Sequence, residues 1–141
     1  MNYFAYASSM NFEQMRRICG WHFHLLGMAE LPDFEMGLDL RGFTNIREKK
    51  GEKVYGVLYD IDQHCLETLD KFEDYPNVFG RQEVMVIHDG KQKTAWVYIQ
   101  PAEQFGGTEV KPDFFRRVIA AAEENHLPGE WIKKLKAYIG E

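Results

Sequence analysis

Lys53-Val-Tyr-Gly-Val-Leu-Tyr-Asp-Ile61 runs directly into Asp62-Gln-His-Cys-Leu-Glu-Thr-Leu-Asp-Lys-Phe-Glu73, and the change of period at that junction sets the class of fold. In the first stretch Val54, Gly56, Leu58 and Asp60 alternate with Tyr55, Val57, Tyr59 and Ile61, the two-residue period of a strand. In the second, Cys65, Leu66, Leu69 and Phe72 recur at the spacing of one helix face. The spacing predicts a short amphipathic helix over 62–73. Glu73 interrupts its pattern. At about 100° per residue it projects between Leu66 and Leu69, inside the apolar stripe. It also falls in the last turn, where the helix dipole disfavours negative charge. Burial and dipole both raise a carboxyl pKa, towards the range useful to a general base. Glu73 is therefore the candidate catalytic residue.

Outward from this unit, Asn2–Tyr6 is apolar and aromatic enough for a first strand, and Ala7–Met10 is a turn of small residues. Asn11-Phe-Glu-Gln14 has capping-box spacing and opens a helix that Gly20 ends. Strands are expected over 23–31, 34–40 and 44–48, with Lys49-Lys-Gly-Glu52 turning the chain into the strand at 53–61. Arg81–His88, an Asp89-Gly90 turn and Gln92–Gln100 form a hairpin. Pro112 and Pro128 each open a C-terminal helix, the first with Phe114, Phe115, Val118, Ile119 and Ala122 as its core face. This order predicts an α+β fold with a mostly antiparallel or mixed sheet, open to closure into a barrel. A doubly wound nucleotide fold is excluded, because no GxGxxG or GxxxxGK[ST] follows a strand.

Length and composition fit one globular domain over 1–141: no Ser/Gly/Pro linker divides the chain and 45% of its residues are hydrophobic. A net charge of −5 argues against a nucleic-acid or anionic-membrane partner. Met1–Tyr6 has neither the basic region nor the apolar run of a leader or membrane span. Cys19 and Cys65 are isolated, with no CxxC, so two free thiols and a cytoplasmic location are expected.

The turn Tyr6-Ala-Ser-Ser-Met10 ends a strand just before a helix N-terminus, an arrangement whose backbone N–H groups suit an anion such as a carboxylate. Tyr3-Phe-Ala-Tyr-Ala-Ser-Ser-Met10 resembles the Tyr-Phe-Ala-Tyr-Gly-Ser-Asn-Leu signature of the γ-glutamylcyclotransferase (AIG2-like) family. Leu26–Phe34, Val54–Tyr59, Leu69–Glu73 and Asn125–Trp131 resemble further family segments in the same order. The resemblance implies a small mixed β-barrel flanked by helices, and an enzyme of glutathione metabolism that needs no metal or cofactor. It implies that a γ-glutamyl amino acid or γ-glutamyl amine is converted to 5-oxoproline and free amine. Glu73 closes the Leu-Asp-x-x-Glu motif and so takes the acid/base role. Tyr3, Phe4, Ala5, Tyr6, Ala7, Ser8 and Ser9 would hold the substrate, with Tyr98 lining the pocket. The only partner implied is this small molecule, bound by a monomer or homodimer. The alternative is a non-catalytic relative that binds an amino-acid-like ligand in the same pocket.

Four departures from the family pattern carry expectations. Ala7 stands where the family has glycine: a positive φ there would strain it by about 1 kcal/mol or more, and otherwise its methyl narrows the pocket. Ser9 replaces an asparagine. Asp74 replaces a glycine and would raise the pKa of Glu73 further by like charge. Gly80 stands at an expected tyrosine, with Phe79 alongside. The leaving amine should lie against loops such as 105–111 and 75–80.

Other residues read more plainly. His22 and His24 alternate on a strand but have no third ligand nearby, so they are surface histidines and not a metal site. Cys65 is a buried thiol, since His64 points about 100° away from it and cannot serve as its base. Asp70 orients a loop or bonds backbone. Ser8 lacks the elbow of an acyl-transfer serine.

Overall fold

The computed structural model describes all residues 1–141. Strands β1 (Asn2–Ala5), β2 (Phe23–Leu38), β3 (Thr44–Ile61), β4 (Gly80–His88) and β5 (Lys91–Ile99) close into a barrel in the order β1-β3-β2-β4-β5. Four helices flank it: α1 (Phe12–Cys19), α2 (Gln63–Phe72), α3 (Pro112–Glu124) and α4 (Gly129–Ala137). Closure falls to β1, which runs antiparallel to β3 from Asn2↔Asp60 to Ala5↔Val57 and parallel to β5 at Tyr3↔Trp96. That single parallel pairing makes the barrel mixed. No helix is long and apolar enough to cross a membrane.

Short-range signals determine where the helices start and where the hairpin turns. The Asn11 side chain accepts from the Gln14 N–H at 2.8 Å, and Gly20 ends α1 at φ 61°. Asp62 caps α2 by accepting from the Cys65 N–H at 2.9 Å. Asp89 and Gly90, at φ 50° and 73°, make the two-residue turn between β4 and β5.

The expected turn at Lys49–Glu52 does not break the strand: these four residues stand against Asp33 alone. β2 and β3 are each unbroken and pair from Leu38↔Thr44 to Phe23↔Ile61, with register shifts at Leu25/Gly27 and Pro32/Phe34. Gly51 (φ 88°) sits opposite Asp33 (φ 61°), whose carboxylate accepts the Gly51 N–H at 3.0 Å. What reads locally as a turn is thus a bulge, bonded across the ladder so that the pair continues.

The cysteine expectation is also overturned. Cys19 at the end of α1 and Cys65 in the first turn of α2 form a disulfide, with Cα atoms 4.9 Å apart and both residues buried. They lie 46 residues apart and meet only because α1 packs on α2, which no local pattern reveals. The cytoplasmic expectation loses the support that free thiols gave it.

Phe4, Val57, Leu58, Tyr59, Leu69 and Phe115 are buried at the centre of the core. Two aromatics assigned to it are not fully inside it, although Phe114 still packs against it. Phe72 is 51% exposed and Phe114 is half-buried; both face the cleft described below. A helix face read by phase alone does not distinguish core from cavity.

Gly56 lets β3 approach β1: a Cβ there would drive into the Ala5 carbonyl and the Phe4 ring. Gly56→Ala should destabilise the protein by about 1–3 kcal/mol, as forced overpacking does. Chemical denaturation checks this, and a variant as stable as the parent would contradict the close approach.

Candidate active site

Glu73 lies one residue past the end of α2, where its own N–H still donates to the Leu69 carbonyl at 2.9 Å. The chain then turns at Asp74, whose φ of 54° is the left-handed conformation that glycine adopts most easily. Asp74 manages it as an exposed residue, its carboxylate accepting from Asn77 at 3.1 Å. Like-charge repulsion from Asp74 is therefore not what perturbs Glu73. Burial alone does so, lifting its pKa from the ordinary 4.5 to about 7. No hydrogen bond or ion pair compensates the carboxyl group.

Glu73 looks towards the end of β1. Tyr3 and Tyr6 both have hydroxyls raised well above their ordinary pKa, first by burial and then by the nearby Glu73 charge. After Tyr6 the chain makes one 3₁₀ turn, Ser8–Met10, entered from Ala7 at φ −131°. This negative φ removes the strain expected from losing glycine; the methyl only adds bulk. The turn's first bond runs from the Met10 N–H to the Ala7 carbonyl, so the N–H groups of Ser8 and Ser9 have no partner within the turn.

Three side chains lock this turn from outside. Gln14 Nε2 donates to Ser8 Oγ at 2.9 Å and to Ser9 Oγ at 3.2 Å. Gln14 thus holds the serines instead of completing the capping box with Asn11. The Tyr59 hydroxyl lies 2.8 Å from the Ser9 carbonyl and 3.0 Å from that of Met10. Asn125 Nδ2 donates to the Met10 carbonyl at 2.8 Å.

Tyr98 is buried and its position is fixed. Its hydroxyl donates to Asp70 Oδ1 at 2.6 Å, its carbonyl accepts from the Tyr6 hydroxyl at 2.7 Å, and its ring packs edge-on against Tyr3. Arg81 holds Asp70 at 2.9 and 3.3 Å. Asp70 therefore orients Tyr98. Burial and the bond to Asp70 push the Tyr98 pKa far up, so it stays a neutral donor.

These groups enclose a cleft of about 370 Å³. Tyr3, Phe4, Tyr6, Ala7, Ser8, Ser9, Tyr98 and Glu73 all line it. Ala5 does not; it is buried in the barrel wall, paired with Val57. Gln14, Arg41, Phe43, Thr44, Phe72, Phe79, Phe114 and Arg117 complete the lining. Of the loops expected around a leaving group, the 75–80 stretch contributes Phe79, whereas no residue of 105–111 reaches the cleft. The loop after β2 and the face of α3 take that place. No motif marks Arg41 or Arg117, and only the fold brings them to the cleft.

The histidines pair differently from their strand phase. His22 Nδ1 lies 2.7 Å from Asp62 Oδ2 and its ring is 4.1 Å from that of His64, while His24 stands apart. The ligand-type atoms of His22, Asp62 and His64 fall within 4.8 Å of one another, so a third ligand-type group does lie near His22. The cluster is exposed at the start of α2, about 14 Å along the axis from Glu73.

A family model described as gamma-glutamyl cyclotransferase, AIG2-like, matches residues 3–117. The chain belongs to that family. Human gamma-glutamylcyclotransferase is 26% identical over 147 residues, covering 96% of this chain and 77% of the human protein. Gamma-glutamylaminecyclotransferase A of Danio rerio is 35% identical over 51 residues, 34% of this chain and 32% of its own length. A Methanocaldococcus jannaschii relative is 32% identical over 57 residues, 48% of its length, so these two matches span less than half of either relative. A solved gamma-glutamyl cyclotransferase structure superposes with a TM-score of 0.87 at 25% identity, covering 97% of this chain and 86% of that one. The closed barrel with its flanking helices is the cyclotransferase fold.

The desolvated, half-buried Glu73 makes a prediction about stability. Its folded pKa of about 7 exceeds the ordinary 4.5, so the native state holds this proton more tightly than the unfolded chain. The stability linked to the proton is full below about pH 4.5 and is lost as pH rises through 7. Glu73→Gln, which mimics the protonated group, should therefore be more stable than the parent at pH 8, on the order of 3 kcal/mol. Near pH 4 the two should converge. Thermal unfolding at both pH values checks this; equal melting temperatures at pH 8 would contradict the burial penalty.

Proposed function

We propose that the cleft is the active site of a cyclotransferase that converts a γ-glutamyl amide to 5-oxoproline and a free amine. One observation carries this reading: a half-buried carboxyl group at the cleft with no hydrogen-bond or ion-pair partner, its pKa lifted by desolvation to about 7, near a turn whose Ser8 and Ser9 N–H groups have no partner within it. Family membership supports it. So does the negative φ of Ala7, which removes the left-handed strain expected from the loss of glycine.

The substrate's α-nitrogen attacks its own γ-carbonyl carbon. A new C–N bond closes a five-membered ring, and the bond to the leaving nitrogen breaks. The attacking ammonium sheds two protons to become the lactam N–H, and the departing amide nitrogen gains two to leave as an ammonium ion. Glu73 relays them, accepting at the α-nitrogen and donating at the leaving nitrogen. With a pKa near the working pH, it is suited to both directions. The N–H groups of Ser8 and Ser9 stabilise the charge that develops on the γ-oxygen. Tyr3, Tyr6 and Tyr98 wall the site as neutral phenols, and the enclosed shape keeps the glutamyl chain folded for attack.

The test is 5-oxoproline release from a panel of γ-glutamyl amino acids and amines. Glu73→Gln should lower turnover by about 10²–10⁴-fold, the usual contribution of a positioned acid/base. Because the carboxylate form starts the reaction, kcat/KM of the parent should fall about tenfold per pH unit below 7. No 5-oxoproline from any member of the panel, or full activity in Glu73→Gln, would overturn the reading.

A further inference from the structure

Arg41 and Arg117 are the only cationic side chains lining the cleft, in a chain whose net charge is −5. They come from different elements, the loop after β2 and the middle of α3, yet stand over adjoining rings. Phe43 and Phe114 meet edge-to-face with centroids 5.0 Å apart. The Arg41 guanidinium lies 5.0 Å above Phe43, and that of Arg117 lies 5.8 Å above Phe114. A guanidinium within about 6 Å of a ring centroid is held by cation–π attraction and keeps N–H donors that can take a carboxylate.

Arg41 is held in place. Its Nη2 donates to Asp39 Oδ2 at 3.1 Å. Asp39 is fully buried and also accepts from the backbone N–H groups of Arg41 and Phe43, both at 2.9 Å, and from Gln100 at 2.7 Å. Burial would raise the Asp39 pKa, but these four donors outweigh it and keep the group ionised. The carboxylate thus fixes the 39–43 loop through donors from three residues, and its one ionic partner, Arg41, is positioned by it with further N–H donors left over. Arg117 makes no ion pair or hydrogen bond, whereas the adjacent Arg116 is paired with Asp113 at 2.9 Å.

We propose that Arg41 and Arg117 form a carboxylate subsite for the leaving group, so that the substrate class is γ-glutamyl-α-amino acids and not γ-glutamyl amines. This rests on the cyclotransferase reading. The substrate's glutamyl half uses the 7–9 turn and Glu73. The departing amine lies on the far side of the γ-carbon, and the wall available there carries two phenylalanines and two guanidinium groups. An amino acid departing through it offers an apolar side chain to the rings and a carboxylate to the arginines. A simple amine offers nothing to the arginines.

The test compares γ-glutamylalanine with γ-glutamylethylamine, which differ only in the leaving carboxylate and keep the same glutamyl α-carboxylate. Calorimetric binding to the Glu73→Gln protein, where substrate stays intact, should favour γ-glutamylalanine by roughly tenfold or more. Adding Arg117→Gln, an exposed change, should reduce that ratio by about the same factor, as should Arg41→Gln. Equal affinity for the two ligands would overturn the inference. So would an unchanged ratio with both affinities weakened, since the arginines would then hold the glutamyl half. Absence of 5-oxoproline from the parent protein would defeat the cyclotransferase reading instead, while the affinity ratio would still decide the subsite.

Discussion

Strand β1 is only four residues long and is bonded along both edges, antiparallel to β3 and parallel to β5. Everything at the cleft depends on that double pairing. It closes the barrel, brings Tyr3 against both Tyr59 and Tyr98, and delivers the chain at Ala7 to a fixed point above the barrel end. Gly56 permits it by leaving room for the Ala5 carbonyl. Tyr59, two residues before the end of β3, then reaches the carbonyls of the turn that β1 leads into. The strand that closes the fold therefore also presents the turn to the cleft, and its neighbour holds the turn still.

Against this rigid wall the protein sets a group that costs stability. Glu73 is half-buried and desolvated without a hydrogen bond, whereas Asp39 in the same molecule shows how a fully buried carboxylate can be satisfied. The contrast is instructive. Asp39 has four donors, is kept ionised and organises a loop; Glu73 has none and is left able to exchange a proton near neutrality. Asp70 is a third case, bound by Arg81 and Tyr98 and spent on orientation. Of the three carboxylates, Asp39 anchors a loop, Asp70 positions Tyr98 and Glu73 is left without a partner, and what separates them is the number of donors each meets.

How much of this was legible in the sequence follows the range of the interactions. The cap at Asn11 and the Asp89-Gly90 turn could be read because their determinants lie within a few residues. Glu73 could be read because helical phase places it against an apolar stripe, although its raised pKa comes from burial and not from Asp74. The bulge at Gly51 looked like a turn because its partner, Asp33, lies across a ladder that local propensity cannot see. Phe72 and Phe114 have the phase of core residues, yet the barrel end leaves a cavity where they point. Cys19 and Cys65, and likewise Arg41 and Arg117, meet only through packing between elements distant in the chain.

The central claim is that Glu73 is a proton carrier made by burial. The most direct test is a pH titration of its side-chain carboxyl by carbon NMR, assigned by comparison with Glu73→Gln. A midpoint near 7, well clear of the other carboxyl groups, is the predicted result. A midpoint near the ordinary 4.5 would contradict the account.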